Sequence, residues 1–181
     1  MIARMLFATG YEEVEALTVV DLLRRAGIDC RMVSVYDEDY AVGSHNITIK
    51  MDEKISEICG DADAVILPGG MPGTTNLKED ENVRKAVQEA YDDGRYVAAI
   101  CAAPTILADM GLLKGKRATC YPDMESEIED AYLTGAPVAT DENIITSQGV
   151  GTAIDFALKL IEVLISEEKA VEIADSIVYQ R

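Results

Sequence analysis

The sequence predicts an α/β protein, a doubly wound sandwich of parallel strands with helices on both faces, and three observations predict it. Apolar, strand-like runs alternate along the 181 residues with segments whose apolar letters recur at helical spacing. One run, "ADAVILPGG" at 62–70, is continuously apolar, as a central parallel strand covered on both faces must be. The turns that follow the strand runs carry small or polar residues, which suits a site beyond the carboxyl ends of the strands.

In chain order, "IARMLFAT" (2–9) is a buried strand, "EEVEALTVVDLLRRAG" (12–27) a helix stopping at Gly27, and "DCRMVSVY" (29–36) a second strand. "NITIKMD" (46–52) alternates as a half-exposed strand, and "KISEIC" (54–59) has a short helical pattern. The central strand ends in a turn at Pro68, Gly69 and Gly70. Next come a helix at 81–94, the strand "YVAAIC" (96–101), a helix from Pro104, strands at 117–121 and 143–148, and helices at 152–166 and 167–177. With 49% hydrophobic residues and neither repeats nor low-complexity tracts, residues 1–181 are expected to form a single domain that buries its core without disulfides or metal.

Sixteen Lys and Arg against 33 Asp and Glu give a net charge of −17, spread along the chain. Such a surface repels phosphate backbones, so nucleic acid is not an expected partner. The apolar runs are too short for a membrane span, and the first residues lack the pattern of a signal peptide, so the expected location is the cytoplasm. Cys30, Cys59, Cys101 and Cys120 form no C-x-x-C pair and are expected as free thiols. Cys30 and Cys59 fall in core-like positions, and strand alternation should turn Cys120 away from Tyr121. No metal-ligand spacing, lysine-bearing phosphate loop or dinucleotide fingerprint is present, so no cofactor and no metal are expected.

The chemistry concentrates at the join in "YVAAICAAPTILADMGLL" (96–113). A cysteine between strand and helix meets outward-pointing amides and the positive end of the helix dipole, both of which favour a thiolate. Ala98, Ala99, Ala102 and Ala103 are small enough for the tight turn that exposes a nucleophile. Against this stands the reading of Cys101 as a small buried residue, and the local letters alone leave the two even. In "GYEEVEA", Glu12, Glu13 and Glu15 open the first helix; acids there are ordinary dipole partners, which accounts for two of the three. Glu15, flanked by Val14, Ala16 and Leu17, can face inward, and a partly desolvated carboxyl beside a thiolate should be protonated. The turn "PGGMPG" offers bare amides, with Gly70 able to approach a bound oxygen.

The segments "GYEEVEA", "ILPGGMPGTTNL", "AAICAAPTILADMGLLKGKRATCYP" and "TSQGVGTAIDFALKLIE", in this order over residues 3 to 178, resemble the ThiJ/PfpI superfamily, in the branch typified by Parkinson disease protein 7. The resemblance implies a flavodoxin-like, class I glutamine amidotransferase-like sandwich that forms a homodimer. It implies Cys101 as nucleophile at the elbow, Glu15 as the protonated acid bonded to it, and the Gly70 and Ala102 amides as oxyanion donors. Family members are described as glutathione-independent glyoxalases, as deglycases, and as redox-responsive chaperones whose cysteine oxidises to a sulfinate. Protease-like members carry a histidine directly after the nucleophile; here that residue is Ala102, so peptidase activity is not expected.

The chain departs from the family in "RATCYP", where human-type members place a histidine before the proline and this sequence has Tyr121. Its one histidine, His45, aligns with the strand at the family's dimer interface. Tyr121 and His45 are therefore the remaining pocket candidates. Two functions use the same residues. In one, Cys101 adds to a small reactive carbonyl with Glu15 as general acid and base. In the other, Cys101 oxidises and the protein acts as a redox-responsive stress protein or chaperone without carbonyl turnover.

Overall fold

The computed structural model describes residues 1–58 and 60–180. Its strands are β1 (Ile2–Phe7), β2 (Asp29–Ser34), β3 (Tyr40–Val42), β4 (Thr48–Lys50), β5 (Glu53–Lys54), β6 (Ala64–Leu67), β7 (Tyr96–Ile100), β8 (Arg117–Ala118), β9 (Tyr132–Leu133), β10 (Val138–Asp141) and β11 (Ile144–Ser147). The helices are α1 (Glu13–Arg25), α2 (Gly73–Glu79), α3 (Glu81–Asp92), α4 (Pro104–Asp109), α5 (Ala153–Leu164) and α6 (Glu167–Ser176).

Seven strands form one sheet in the order β10-β11-β7-β6-β1-β2-β5, parallel throughout except for the β10–β11 edge pair. The expected doubly wound sandwich is the fold found. Side chains of β1 divide by alternation: Ala3, Met5 and Phe7 join the core shared with α1, α5 and α6, while Leu6 joins the opposite core with α3 and α4. The same split recurs in β7, with Ala98 and Ile100 on one side and Val97 and Ala99 on the other. Apolar letters on both faces are the physical reason that the central runs lack a polar stripe.

The departures are local. The expected short helical piece at 54–59 is found as a 3₁₀ helix at Ile55–Glu57, preceded by the unexpected short strand β5; Cys59 lies outside the described residues. The expected strand at 46–52 shortens to β4, which pairs with the unexpected β3 as an antiparallel hairpin whose turn holds His45. The strand at 117–121 stops at Ala118, and residues 122–127 form a 3₁₀ turn led by Pro122. α2 and β10 carried no clear signal. Gly and Thr at the start of "GTTNLKE" are poor helix formers, and α2 stands because Leu77 is buried and the chain is boxed in by neighbouring turns.

Candidate active site

Four turns converge beyond the carboxyl ends of β1, β6, β7 and β11. The Glu12 amide donates to the Gly69 carbonyl at 2.9 Å, the Gly73 amide to Gly10 at 3.1 Å, and the Cys101 amide to Ser147 at 3.0 Å. These ties bring together the four segments that the sequence marked.

Cys101 follows the last residue of β7 with φ of 66°, a left-handed conformation uncommon for any residue but glycine. Its carbonyl accepts from the Tyr121 amide at 2.9 Å, so its backbone is clamped on both sides. The turn is the sharp elbow expected from its small neighbours, and the side chain is partly exposed.

Glu15 is fully buried. α1 begins there because Glu12 caps it, its carboxylate accepting from the Glu15 amide at 2.7 Å. One turn of helix thus delivers Glu15 under the loop after β6. Its Oε2 accepts from the Gly69 amide at 3.0 Å, while Oε1 is buried without a well-aligned donor. The Cys101 thiol couples to this carboxyl more loosely. Gly69 admits no side chain: a Cβ there would stand 2.5 Å from that of Cys101 and 2.7 Å from Glu15 Oε2. Gly70, at φ 91°, is pressed against the Gly10–Tyr11 backbone, and its amide points at the cysteine sulfur together with that of Ala102.

Burial pushes the Glu15 carboxyl up from 4.5 to about 7, against the opposing hydrogen bonds from Cys101 and Gly69 and with the charge of Glu12 adding to the rise. Burial likewise pushes the Cys101 thiol up to about 12, followed by the charge of ionised Glu15 and the hydrogen bond to it, while the amides of Ala102 and Gly70 pull it down. The elbow alone therefore does not yield the expected thiolate. Burial raises the thiol in either state of Glu15; a proton on Glu15 removes only the added charge, leaving the two amides facing the sulfur. Glu15 thus titrates in the neutral range beside a partly exposed thiol that stays protonated there.

Of the remaining candidates, Tyr121 is at the site: its ring stands 3.6 Å from where a Cβ of Gly149 would be, and that same point is 3.7 Å from Glu15 Oε1 and 4.0 Å from Cys101 Sγ. His45 is tied elsewhere. Its Nδ1 lies 2.7 Å from Glu13 Oε2, its amide donates to Glu13 Oε1 at 2.7 Å, and the Ser44 hydroxyl completes the set at 3.1 Å. None of the polar contacts shown for His45 runs to Cys101 or Glu15. Glu12, Glu13 and His45 place ligand-type atoms within 4.8 Å of one another, a grouping that the sequence spacing did not reveal because His45 comes from the hairpin. Their hydrogen bonds to one another and to the start of α1 account for that arrangement. Cys30 is buried in the core as expected, with its thiol pushed up to about 12 by burial; Cys120 is buried and Tyr121 exposed, though the strand whose alternation was expected to separate them ends at Ala118.

Sequence reasoning missed Gly69, which holds Glu15, and Gly149, which borders both Glu15 and Cys101. "PGG" gave a signal for the first; only its neighbour was singled out. Nothing local distinguished Gly149 from Gly151.

The sequence pattern of the DJ-1/PfpI family matches residues 2–163. The chain belongs to that family. It is 37% identical over 175 residues to Protein dj-1beta of Drosophila melanogaster, covering 95% of this chain and 94% of that one. It is 34% identical to the Parkinson disease protein 7 homolog of Danio rerio, over 94% of this chain and 93% of the relative. With the glutathione-independent glyoxalase DJR-1.2 of Caenorhabditis elegans it shares 31% identity, over 87% and 85% of the two chains. The solved structure of Toxoplasma gondii DJ-1, oxidized, superposes with a TM-score of 0.94, at 34% identity and 99% coverage of each chain. DJ-1/PfpI membership agrees with the resemblance read from the motifs, and no helix among the described residues is long and apolar enough to cross a membrane.

Proposed function

We propose that this DJ-1/PfpI protein is a cysteine-dependent enzyme for small reactive carbonyls, of glutathione-independent glyoxalase or deglycase type, using Cys101 and Glu15. The observation that carries the reading is the buried Glu15 Oε1, which has no well-aligned donor and borders the same space as the Cys101 sulfur. A fully buried carboxyl titrating near 7 is suited to take and return a proton at neutral pH. Similarity to a relative named as a glyoxalase supports the class.

With methylglyoxal, sulfur adds to the aldehyde carbon as the thiol proton passes to Glu15, and the Gly70 and Ala102 amides hold the new oxyanion until it is protonated. Glu15, ionised again, removes the proton from that carbon to give an enediolate; the hydroxyl proton passes from the first oxygen to the second, and Glu15 returns its proton to the second carbon. The first carbon is thereby oxidised and the second reduced, with no external oxidant. The resulting 2-hydroxyacyl thioester is cleaved by water, releasing lactate and the thiol. Tyr121 walls this space in the place of the histidine of human-type members, so the proton transfers rest on Glu15.

The test is lactate formation from methylglyoxal without glutathione. A wild-type rate that is lost in Cys101→Ser and falls about 10²–10⁴-fold in Glu15→Gln supports the reading; a rate equal to that of the variants overturns it. A second reading, oxidation of Cys101 to sulfinate as a stress response, draws on the amides aimed at its sulfur and on similarity to a structure of an oxidized relative. Peroxide adding two oxygens at Cys101 in a protein without carbonyl turnover would favour it. The protein is further proposed to be a homodimer, checked by a solution mass of twice 19.6 kDa.

A further inference from the structure

The glycines around Cys101 fall into two kinds. At Gly10, Gly69, Gly70 and Gly73 a Cβ would lie within 3.0 Å of backbone or of a buried side chain, so packing forbids anything larger. Gly149 differs. A methyl there would stand in ordinary contact with three atoms, 3.6 Å from the Tyr121 ring, 3.7 Å from Glu15 Oε1 and 4.0 Å from Cys101 Sγ. Packing leaves that volume open, and its walls are the nucleophile, the carboxyl oxygen without a donor and an aromatic ring.

The position of Gly149 is held firmly. Its amide donates to the Thr152 hydroxyl at 3.1 Å, and that hydroxyl is 2.7 Å from Ser147 Oγ, next to the residue pair that anchors the elbow. Its backbone, at φ 159° and ψ −162°, lies at the edge of the region that side chains rarely adopt, so an alanine there carries some backbone strain in addition to its methyl group. The empty volume is therefore a fixed feature of the pocket wall.

We propose that Gly149 sets the size of carbonyl that Cys101 accepts: the place where its side chain would stand seats the acyl substituent on the attacked aldehyde carbon. This rests on the reading of Cys101 as a carbonyl nucleophile and adds a specificity-determining residue to it. The substrates that fit are 1,2-dicarbonyls with a small second acyl group, lying flat against Tyr121.

The experiment compares kcat/KM for glyoxal, methylglyoxal and phenylglyoxal in wild type, Gly149→Ala and the double variant Gly149→Ala/Tyr121→Ala. Gly149→Ala is expected to lower the methylglyoxal-to-glyoxal ratio about tenfold or more, the discrimination that one methyl group gives in a tight pocket. Removing the Tyr121 ring as well is expected to restore much of that ratio, which a merely distorted loop would not do. An unchanged ratio, or an equal fall for all substrates without recovery in the double variant, overturns the proposal. If wild type turns over none of them, the enzyme reading fails separately, and the gate is read from covalent modification of Cys101. Gly149→Ala then slows N-ethylmaleimide more than iodoacetamide, measured by mass spectrometry; equal slowing, or none, overturns it.

Discussion

Glu13 and Glu15 stand two residues apart in the first turn of α1, both buried, and their environments drive them in opposite directions. Burial works to raise each. At Glu13 it is outweighed by donors: the ring and amide of His45, the amide of Glu13 itself and the Ser44 hydroxyl together bring it down to about 2. At Glu15 the Gly69 amide and the thiol of Cys101 are too few, and burial leaves it at about 7. Donor supply and depth together decide which carboxyl is a fixed charge and which can move a proton: Glu13 has more donors and Glu15 lies deeper. The hairpin β3–β4 supplies most of the donors to one; the β6 loop supplies a single amide, that of Gly69, to the other.

The sharpest way to break this comparison is to neutralise each acid in turn. Glu15→Gln is expected to reduce methylglyoxal turnover by orders of magnitude, and Glu13→Gln by less than about tenfold, in steady-state lactate assays. Equal losses would mean that the two acids act as one unit.

The pH dependence of stability sharpens it further. Glu15 has a folded pKa above its unfolded value, so between about pH 4.5 and 7 the folded state keeps a proton that the unfolded state has released. Stability therefore falls as pH rises through that window, by on the order of 2–3 kcal/mol. Urea unfolding at pH 5 and pH 8 should show that loss in wild type and a flatter profile in Glu15→Gln. Glu13 has the opposite sign: its stabilisation is present above pH 4.5 and is lost as pH falls toward 2. His45, itself raised by its hydrogen bond to Glu13, is the lever there. In His45→Ala the acid-unfolding midpoint should move to higher pH, with carbonyl turnover changed less than about threefold. A midpoint that stays put would show that Ser44 and the backbone suffice.

The smallest effect concerns the elbow. Cys101→Gly should be more stable than Cys101→Ala by about 1 kcal/mol in chemical denaturation, because only glycine occupies φ near 66° without steric cost.

How much of this was legible in the sequence follows the same division. Continuous apolar runs such as 64–67 and 96–100 carried the sheet, because burial on both faces leaves no polar alternation to misread. Cys101, Glu15, Gly70 and Ala102 were legible because small residues flank a thiol at a strand end and an acid sits among apolar letters. β3, β5 and α2 were not, since their few residues are held by neighbours rather than by their own preferences. The pairing of His45 with Glu13 spans 32 positions, and no local pattern encodes it. Gly149 was invisible for a different reason: what it contributes is a missing group beside atoms from three other segments.

The left-handed backbone at Cys101 also bears on how such a protein changes over generations. A chain with no further use for the thiol would gain stability by drifting to glycine at that position, since the substitution relieves the backbone and the neighbouring alanines already fit. Cysteine there is a standing cost against the fold, one that the proposed role of Cys101 as nucleophile accounts for.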